Sequence, residues 1–357
     1  MQKDLDPDVR QAAVVALVAA PGDAAAALLT RALRDLWHEV RRTAATGLGV
    51  RRDPAAIGAL TMALGDPIPG VRVAAALALG QIGGRRATEV LLAACHAYYW
   101  DVRAAAALAL GSLGAVEAIP LLADALHERV AAAGEAAAQA LGALGAAALP
   151  CLIAATEASE RQVRVRAARA LSMASAPAAL PALLAAAADV EPEVRAAAAT
   201  ALGALHSAEG GPALGGLLHD SDPLVRSAAL GALAELGSAA GPVLLAALAD
   251  DDPAVRWLAV HALDAIGRSI GAHHAVDVLA TALHDPYSAV RWQAAEVLGR
   301  LGDPAAAHVL RAALHDRNPL VAGAAQEALA RISAAGDGWQ TAGGTRRSPL
   351  PPAYPPE

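Results

Sequence analysis

Val102-Arg103-Ala104-Ala105-Ala106-Ala107-Leu108-Ala109-Leu110-Gly111 decides the fold, because it is one copy of a run that recurs along the whole chain. Its arginine has counterparts at Arg10, Arg41, Arg72, Arg164, Arg195, Arg226, Arg256 and Arg291. Gly134 and Ala322 stand in the same register. The steps are 30 or 31 residues, with one of 35 between Arg256 and Arg291. A fixed period of this size marks a solenoid, in which each unit buries its apolar face against the next.

Each period reads as two helices. The first is a Leu/Ala segment such as Ala118-Ile119-Pro120-Leu121-Leu122, and a polar turn separates it from the second, which carries the arginine. Asp6-Pro7, Asp222-Pro223, Asp252-Pro253 and Asn318-Pro319 place a capping side chain before a proline, the pattern of a helix start. Gly111 and Gly203 are expected to end their helices in a left-handed conformation. An acid recurs six residues before the arginine, at Asp4, Asp35, Asp66, Asp189, Asp220, Asp250, Asp285 and Asp316. Proline recurs fourteen residues before it, at Pro120, Pro150, Pro181, Pro212 and Pro242, where it is expected to bend the first helix.

The Pro, Asp, Val-Arg pattern, over residues 4 to 332, resembles HEAT repeats, in particular the short bacterial kind of phycobilisome-lyase-like proteins. That resemblance implies an all-α, right-handed superhelix of about ten to eleven hairpins. It further implies second helices lining a concave groove, and a ladder of Asp and Arg across repeats: Asp35, Arg41, Asp66, Arg72, Asp189, Arg195, Asp220, Arg226, Asp250, Arg256, Asp285 and Arg291. A side-chain pair between acid and arginine six residues apart, such as Asp220 with Arg226, is expected within it. One array over residues 1–332 is expected, followed by a disordered tail at 333–357 rich in Pro and Gly. Within the tail, Pro351-Pro352-Ala353-Tyr354 matches a proline-rich WW-domain ligand.

Composition narrows the function. Hydrophobic residues make up 56% with no Phe, so the core is built from Ala, Leu and Val. A net charge of -7 argues against a general nucleic-acid binder, which needs a basic surplus. Cys95 and Cys151 lie far apart, compatible with a reducing compartment. No apolar signal segment opens the chain and no charge-free run has membrane-spanning length, so a cytoplasmic location without membrane contact is expected.

His38-Glu39 and His127-Glu128 resemble the His-Glu pairs of deoxyhypusine hydroxylase, an iron enzyme of HEAT-like repeats. Both precede the arginine instead of following it, so neither metal nor cofactor is expected, and no nucleophile or phosphate-loop motif is present. The function read is a non-catalytic scaffold with a protein partner in the groove; the alternatives are a bilin lyase-type subunit or a deoxyhypusine-hydroxylase-like oxidoreductase.

Two places break the pattern toward binding. Tyr98, Tyr99 and Trp100 fill a turn that is polar elsewhere, in a region where Ala97 and Ala158 replace the acid and Gly134 the arginine. That region reads as a local plug, a hinge or a partner patch. Trp257 and Trp292 follow their arginines in adjacent repeats, with His261 and Glu296 one turn on, and read as an exposed groove patch. A step of 35 implies an insertion near Arg268–His274. The first repeat lacks a first helix, so Val9, Ala12, Ala13 and Leu17 are expected to be uncovered, which allows self-association there.

Overall fold

A computed structural model describes residues 6–267 and 272–337, all of whose regular structure is helical. The insertion at 268–271 and the tail from 338 onward lie outside the described residues. The fold is an α-solenoid divided into two compact units, Met1–Ala201 and Leu202–Glu357.

In the first unit the second helices are Pro7–Ala19, His38–Arg51, Pro69–Ile82, Trp100–Ser112, Ala131–Ala143, which has Gly134 in the arginine register, and Arg161–Ala174. Their partners are Asp23–Ala32, Ile57–Ala63, Gly84–Ala94, Ile119–Ala125, Leu149–Ala155 and Leu180–Ala186. The unit boundary falls inside Pro192–Ala204. The second unit repeats the scheme with Pro223–Leu236, Pro253–Ile266, Ser288–Leu301 and Pro319–Asp337 as second helices. Pro223–Leu248 is apolar and long enough to cross a membrane, but it is the second helix of one repeat joined to the first of the next, with Arg226 and Glu235 inside it.

Two columns of leucine build the core. First helices contribute Leu29, Leu60, Leu91, Leu122, Leu152 and Leu183, and second helices contribute Leu48, Leu79, Leu110, Leu141 and Leu171, all without solvent exposure. The second unit has columns of its own, Leu214, Leu244, Leu279 and Leu310 from first helices and Leu233, Leu263 and Leu298 from second helices. Each such side chain contributes about 1.5–3 kcal/mol relative to exposure, so the columns outweigh any single polar contact. Alanines between them let neighbouring second helices approach closely.

That approach corrects the reading of the glycines. Gly111 does not end its helix: it lies inside Trp100–Ser112, and a Cβ there would sit 2.6 Å from Ala140 Cα of the next repeat. Gly203 likewise lies inside Pro192–Ala204, 2.7 Å from Ala232 Cα by the same construction. The residue with positive φ comes three positions later, as at Gly83 (φ 67°) and Gly114 (φ 67°). The prolines are corrected too. Pro120 stands in the first turn of Ile119–Ala125, behind a 3-10 turn at Val116–Ala118, where a missing N–H costs nothing. The same holds for Pro150, Pro181, Pro212 and Pro242, so they start a short helix rather than bend a long one.

The predicted caps are present. Asp6, Asp222, Asp252 and Asn318 accept from the amides of Asp8, Leu224, Ala254 and Leu320 at 2.7–2.9 Å. Val9 and Ala12 are exposed, while Ala13 and Leu17 are partly covered. Arg51 donates to the carbonyls of Leu17, Val18 and Ala20, closing the end of Pro7–Ala19. The last helix runs to Asp337, five residues past the point where the sequence pattern stops.

Candidate protein-binding surface

The ladder sets the turns in place. Arg41 Nε and Nη2 donate to Asp66 Oδ2 and Oδ1 at 2.6 and 2.9 Å, across one repeat. Its Nη1 donates to the carbonyls of Asp35 and Leu36, at 2.9 and 3.0 Å. Asp66 in turn accepts from the Ile68 amide at 2.9 Å, fixing its own turn. This guanidinium therefore joins the end of its own first helix to the next repeat's carboxylate. Arg164–Asp189, Arg256–Asp285 and Arg291–Asp316 repeat the arrangement, and Arg10–Asp35 repeats its carboxylate contact.

A side-chain pair six residues apart is therefore corrected. Arg226 Nη1 donates to the Asp220 and Ser221 carbonyls at 2.7 and 3.0 Å, and Arg195 does the same to Asp189 and Val190. The Asp250 carboxylate meets His219 Nε2 at 2.8 Å. Burial alone would raise the Asp66 carboxyl, but the Arg41 guanidinium and the Ile68 amide hold it below the usual carboxylate range. Asp35 and Asp189 are lowered against burial in the same way, and at Asp316 the bond from Arg291 is the leading cause.

The irregular stretch keeps the ladder by other means. Ala97 offers no carboxylate, so Asp101, four residues on, accepts from Arg72 Nε and Nη2 at 3.0 Å, and both partners are buried. Tyr99 lies against the same guanidinium, its ring centroid 3.9 Å from Arg72 Cζ. Glu128 replaces an aspartate as the partner of Arg103. Where Gly134 leaves no arginine, Arg166 reaches back from the next repeat, only 3% exposed, and donates to the Leu126 and Glu128 carbonyls. A Cβ on Gly134 would lie 2.2 Å from Arg166 Cζ, so the glycine makes room for that side chain. Sequence reasoning missed Arg166; the signal was a second arginine, in Val163-Arg164-Val165-Arg166, at a position where no other repeat carries a charge.

With the turns fixed, their outer edge is open to solvent. Tyr98 is 92% exposed and Leu36 97%, with Trp37, Tyr99, Trp100 and Val130 also exposed. Trp37, Ile68, Tyr99 and Val130 share one register in four consecutive turns, and Glu160 and Glu191 fill it in the next two. Tyr98 packs edge-on to Tyr99 at 5.4 Å between centroids, and Tyr99 is held by Arg72, so the aromatic turn is a firm surface.

The second-helix face behaves differently. Five residues past the arginine register, Val15, Thr46, Leu77, Gln139, Arg169 and Thr200 are exposed, whereas one residue past it Val165 and Ala196 are buried. Trp257 and Trp292, however, are only half-exposed, which corrects the expectation of two open rings. Trp257 stacks on His261 at 5.7 Å. Burial, with help from Arg300, lowers the His261 pKa against the pull of Asp264. Glu296 is already engaged, by Arg300 at 3.3 Å and Arg331 at 3.1 Å, while Arg300 also holds Asp264 at 2.9 Å.

His38 Nδ1 lies 3.3 Å from Glu39 Oε1, and His127 Nδ1 lies 3.5 Å from Glu160 Oε1 rather than from Glu128. Among the described residues no three His, Cys, Asp or Glu side chains gather as metal ligands. Burial pushes the Cys95 thiol up to about 11, which removes its nucleophilic form at neutral pH.

A HEAT-repeat family model matches the chain in overlapping windows, residues 32–111, 64–142, 90–172, 127–202, 180–264 and 241–330. The chain belongs to the HEAT-repeat family. No curated protein matches its sequence. Among solved structures it is similar to the Kap95:Nup1 complex, at 17% identity over 92% of this chain and 54% of that one, with a TM-score of 0.62. It is also similar to Kap121p bound to Pho4p, at 13% identity over 93% and 44%, with a TM-score of 0.63. The chain spans about half the length of these proteins, and the likeness is one of fold. CpcE and CpcF of phycocyanin lyase from Nostoc sp. PCC7120 match at 26% identity over 71% and 96%, but a TM-score of 0.36 carries no argument.

Proposed function

We propose that this HEAT-repeat chain is a non-catalytic scaffold that docks a protein partner on the turn edge of its first unit. The observation that carries the reading is the row of exposed apolar side chains there, led by Leu36, Tyr98 and Trp100. A contiguous apolar patch on a soluble surface is a feature of binding sites, and aromatic rings are the usual anchors. The neighbours of similar fold support it: Kap95 is in complex with Nup1 and Kap121p with Pho4p. Trp257 and Trp292 are proposed as a smaller second contact, because their rings stay half-exposed beside a charge network that is already paired.

The test is recovery of co-purifying proteins from the native cell with the wild-type chain and with Tyr98→Ser/Trp100→Ser. Both side chains lie outside the leucine columns, so the unfolding midpoint should barely move while affinity for the recovered partner falls about tenfold or more. Unchanged affinity for every partner would sink the turn-edge reading. Trp257→Ala/Trp292→Ala should weaken the same complex less.

A further inference from the structure

Between the first helices Gly211–Leu217 and Gly241–Leu248, both in the second unit, lies a groove of about 400 Å³. Its walls are apolar, from Pro212, Pro242, Val243 and Ala246, and His219 and Asp250 stand at one end. The groove exists because Gly215 and Gly216 occupy positions where other first helices carry Ile153-Ala154, Leu184-Ala185 or Leu245-Ala246. Two adjacent glycines weaken a helix, so this stretch forgoes local stability. Gly215 has a packing reason, since a Cβ there would lie 2.7 Å from Val243 Cγ1. Gly216 has none: a Cβ on it would meet no atom within 4 Å. The absent side chain leaves a seat for one supplied from outside.

The end of the groove is negative. Asp250 Oδ2 meets His219 Nε2 at 2.8 Å, and its Oδ1 accepts from the Asp252 amide at 2.9 Å. Asp251 is exposed, and Asp222 and Asp252 cap the helices that follow. Even without Asp220, the carboxylates of Asp222, Asp250, Asp251 and Asp252 stand against only Arg226 and, when protonated, His219. Arg256 does not change this balance, being matched by Asp285. No Lys or Arg lines the groove, and the C-terminal ends of both first helices lie at its acidic end, where their dipoles favour a cation.

We propose that this groove docks an extended segment of a partner protein in which a branched apolar side chain and a cation stand two residues apart. The apolar side chain seats over Gly216, and the cation reaches Asp250 and Asp251. The lengths agree: three residues along a helix, from Gly216 to His219, rise about 4.5 Å. Alternate side chains of an extended strand leave one face roughly 6.7 Å apart, so a leucine and an arginine two positions on cover the seat and the acidic end together. Pro212, Gly216, Pro242 and Ala246 are exposed, so the groove is open along one side. That suits one face of a chain better than a small molecule, whose sites enclose most of its surface. The proposal rests on the chain being a protein-binding scaffold, but its surface lies in the second unit, away from the residues of the turn-edge test.

The experiment titrates the full chain, with its valine methyl groups isotope-labelled, with the peptide acetyl-Ala-Leu-Ser-Arg-Ala-amide and follows the Val243 methyl signals by NMR. A saturable shift is expected, and replacing the peptide's arginine by glutamate, or its leucine by serine, should weaken it about tenfold. Gly216→Leu fills the seat without a clash, so it should abolish the shift while the unfolding midpoint stays level or rises. Asp250→Asn/Asp251→Asn keeps an acceptor for the Asp252 amide and should weaken binding while leaving the fold intact. Tyr98→Ser/Trp100→Ser should bind the peptide as wild type does, which separates this groove from the turn edge. No saturable shift, equal binding of the glutamate peptide, or full binding by Gly216→Leu would overturn the proposal. Val243 signals that move with protein concentration alone would overturn it too, because a second copy would then be the occupant.

Discussion

The joint held by Arg41 and Asp66 and the stretch from Ala97 to Arg166 meet the same demand with different parts. In the first, an acid and an arginine stand at their repeat positions and every bond follows from the period. In the second, the acid has moved one helical turn to Asp101, and one arginine has moved a whole repeat to Arg166. What persists is the hydrogen-bond account at the turn: carbonyls at the end of the first helix are met by a guanidinium, from the repeat's own arginine or from Arg166. The departures in sequence are, in their hydrogen bonding, substitutions of part for part.

The largest effect should come from Asp101→Ala. It leaves the buried Arg72 without its counter-ion, a loss of about 3–5 kcal/mol. Asp66→Ala should cost less, since the Arg41 side chain is more exposed than that of Arg72. Denaturant unfolding, with amide exchange in the flanking helices to localise the loss, checks the order. A milder Asp101→Ala would break the comparison.

The sharpest test of substitution is a cycle at Gly134 and Arg166. Arg166→Ala strips the Leu126 and Glu128 carbonyls of their donor, and Gly134→Arg drives a side chain into the Arg166 guanidinium. Each change alone should cost about 2 kcal/mol or more. The pair together restores the arrangement of the other repeats and should lie near wild type, a strong coupling. Additive losses would show that Arg166 does not stand in for the missing arginine.

How much of this was legible in the sequence follows the same division. The period, the core of Ala, Leu and Val and the Asp and Asn caps were readable because they rest on local chemistry repeated in register. The partner of each arginine was not, because a six-residue offset within a repeat conceals a bond that crosses to the next one. Gly111 was misread for a similar reason: its environment is Ala140, 29 residues away, and nothing adjacent in sequence announces it. Of the two proposed patches, Tyr98 and Trp100 are exposed because a turn offers no neighbour to fold onto. Trp257 and Trp292 sit among small helix residues and settle half-way into them.

Glycine contacts extend the comparison at smaller scale. Gly111→Ala would push a methyl against Ala140 Cα at 2.6 Å, and backbone there has no means of yielding without separating two helices, so a loss of about 1–3 kcal/mol is expected. At Gly142, in the irregular stretch, the nearest atoms are Met173 Cβ at 2.9 Å and the Ala170 carbonyl oxygen at 3.0 Å, a less severe overlap than the one at Gly111. Gly142→Ala should therefore cost less than Gly111→Ala in thermal unfolding, and the reverse order would mean that helix spacing is not what the glycines protect.

The smallest effect is the response of the regular rungs to acid. Asp35, Asp66 and Asp189 are lowered because arginine and turn-amide bonds outweigh burial, and Asp316 chiefly by Arg291. In the unfolded chain these carboxyls return to the ordinary aspartate value near 3.8, so at a pH between the two values the unfolded state binds more protons. Their contribution is thus complete above the unfolded value and is lost as pH falls through the lower, folded values. The unfolding midpoint should stay level with respect to these groups from neutrality to about pH 5 and decline below pH 4. Asp66→Asn, which keeps an acceptor for the Ile68 amide but removes the titration, should flatten that acid decline while lowering stability at neutral pH. An unchanged acid limb in Asp66→Asn, measured beside wild type at several pH values, would show that the rungs are not what acid undoes.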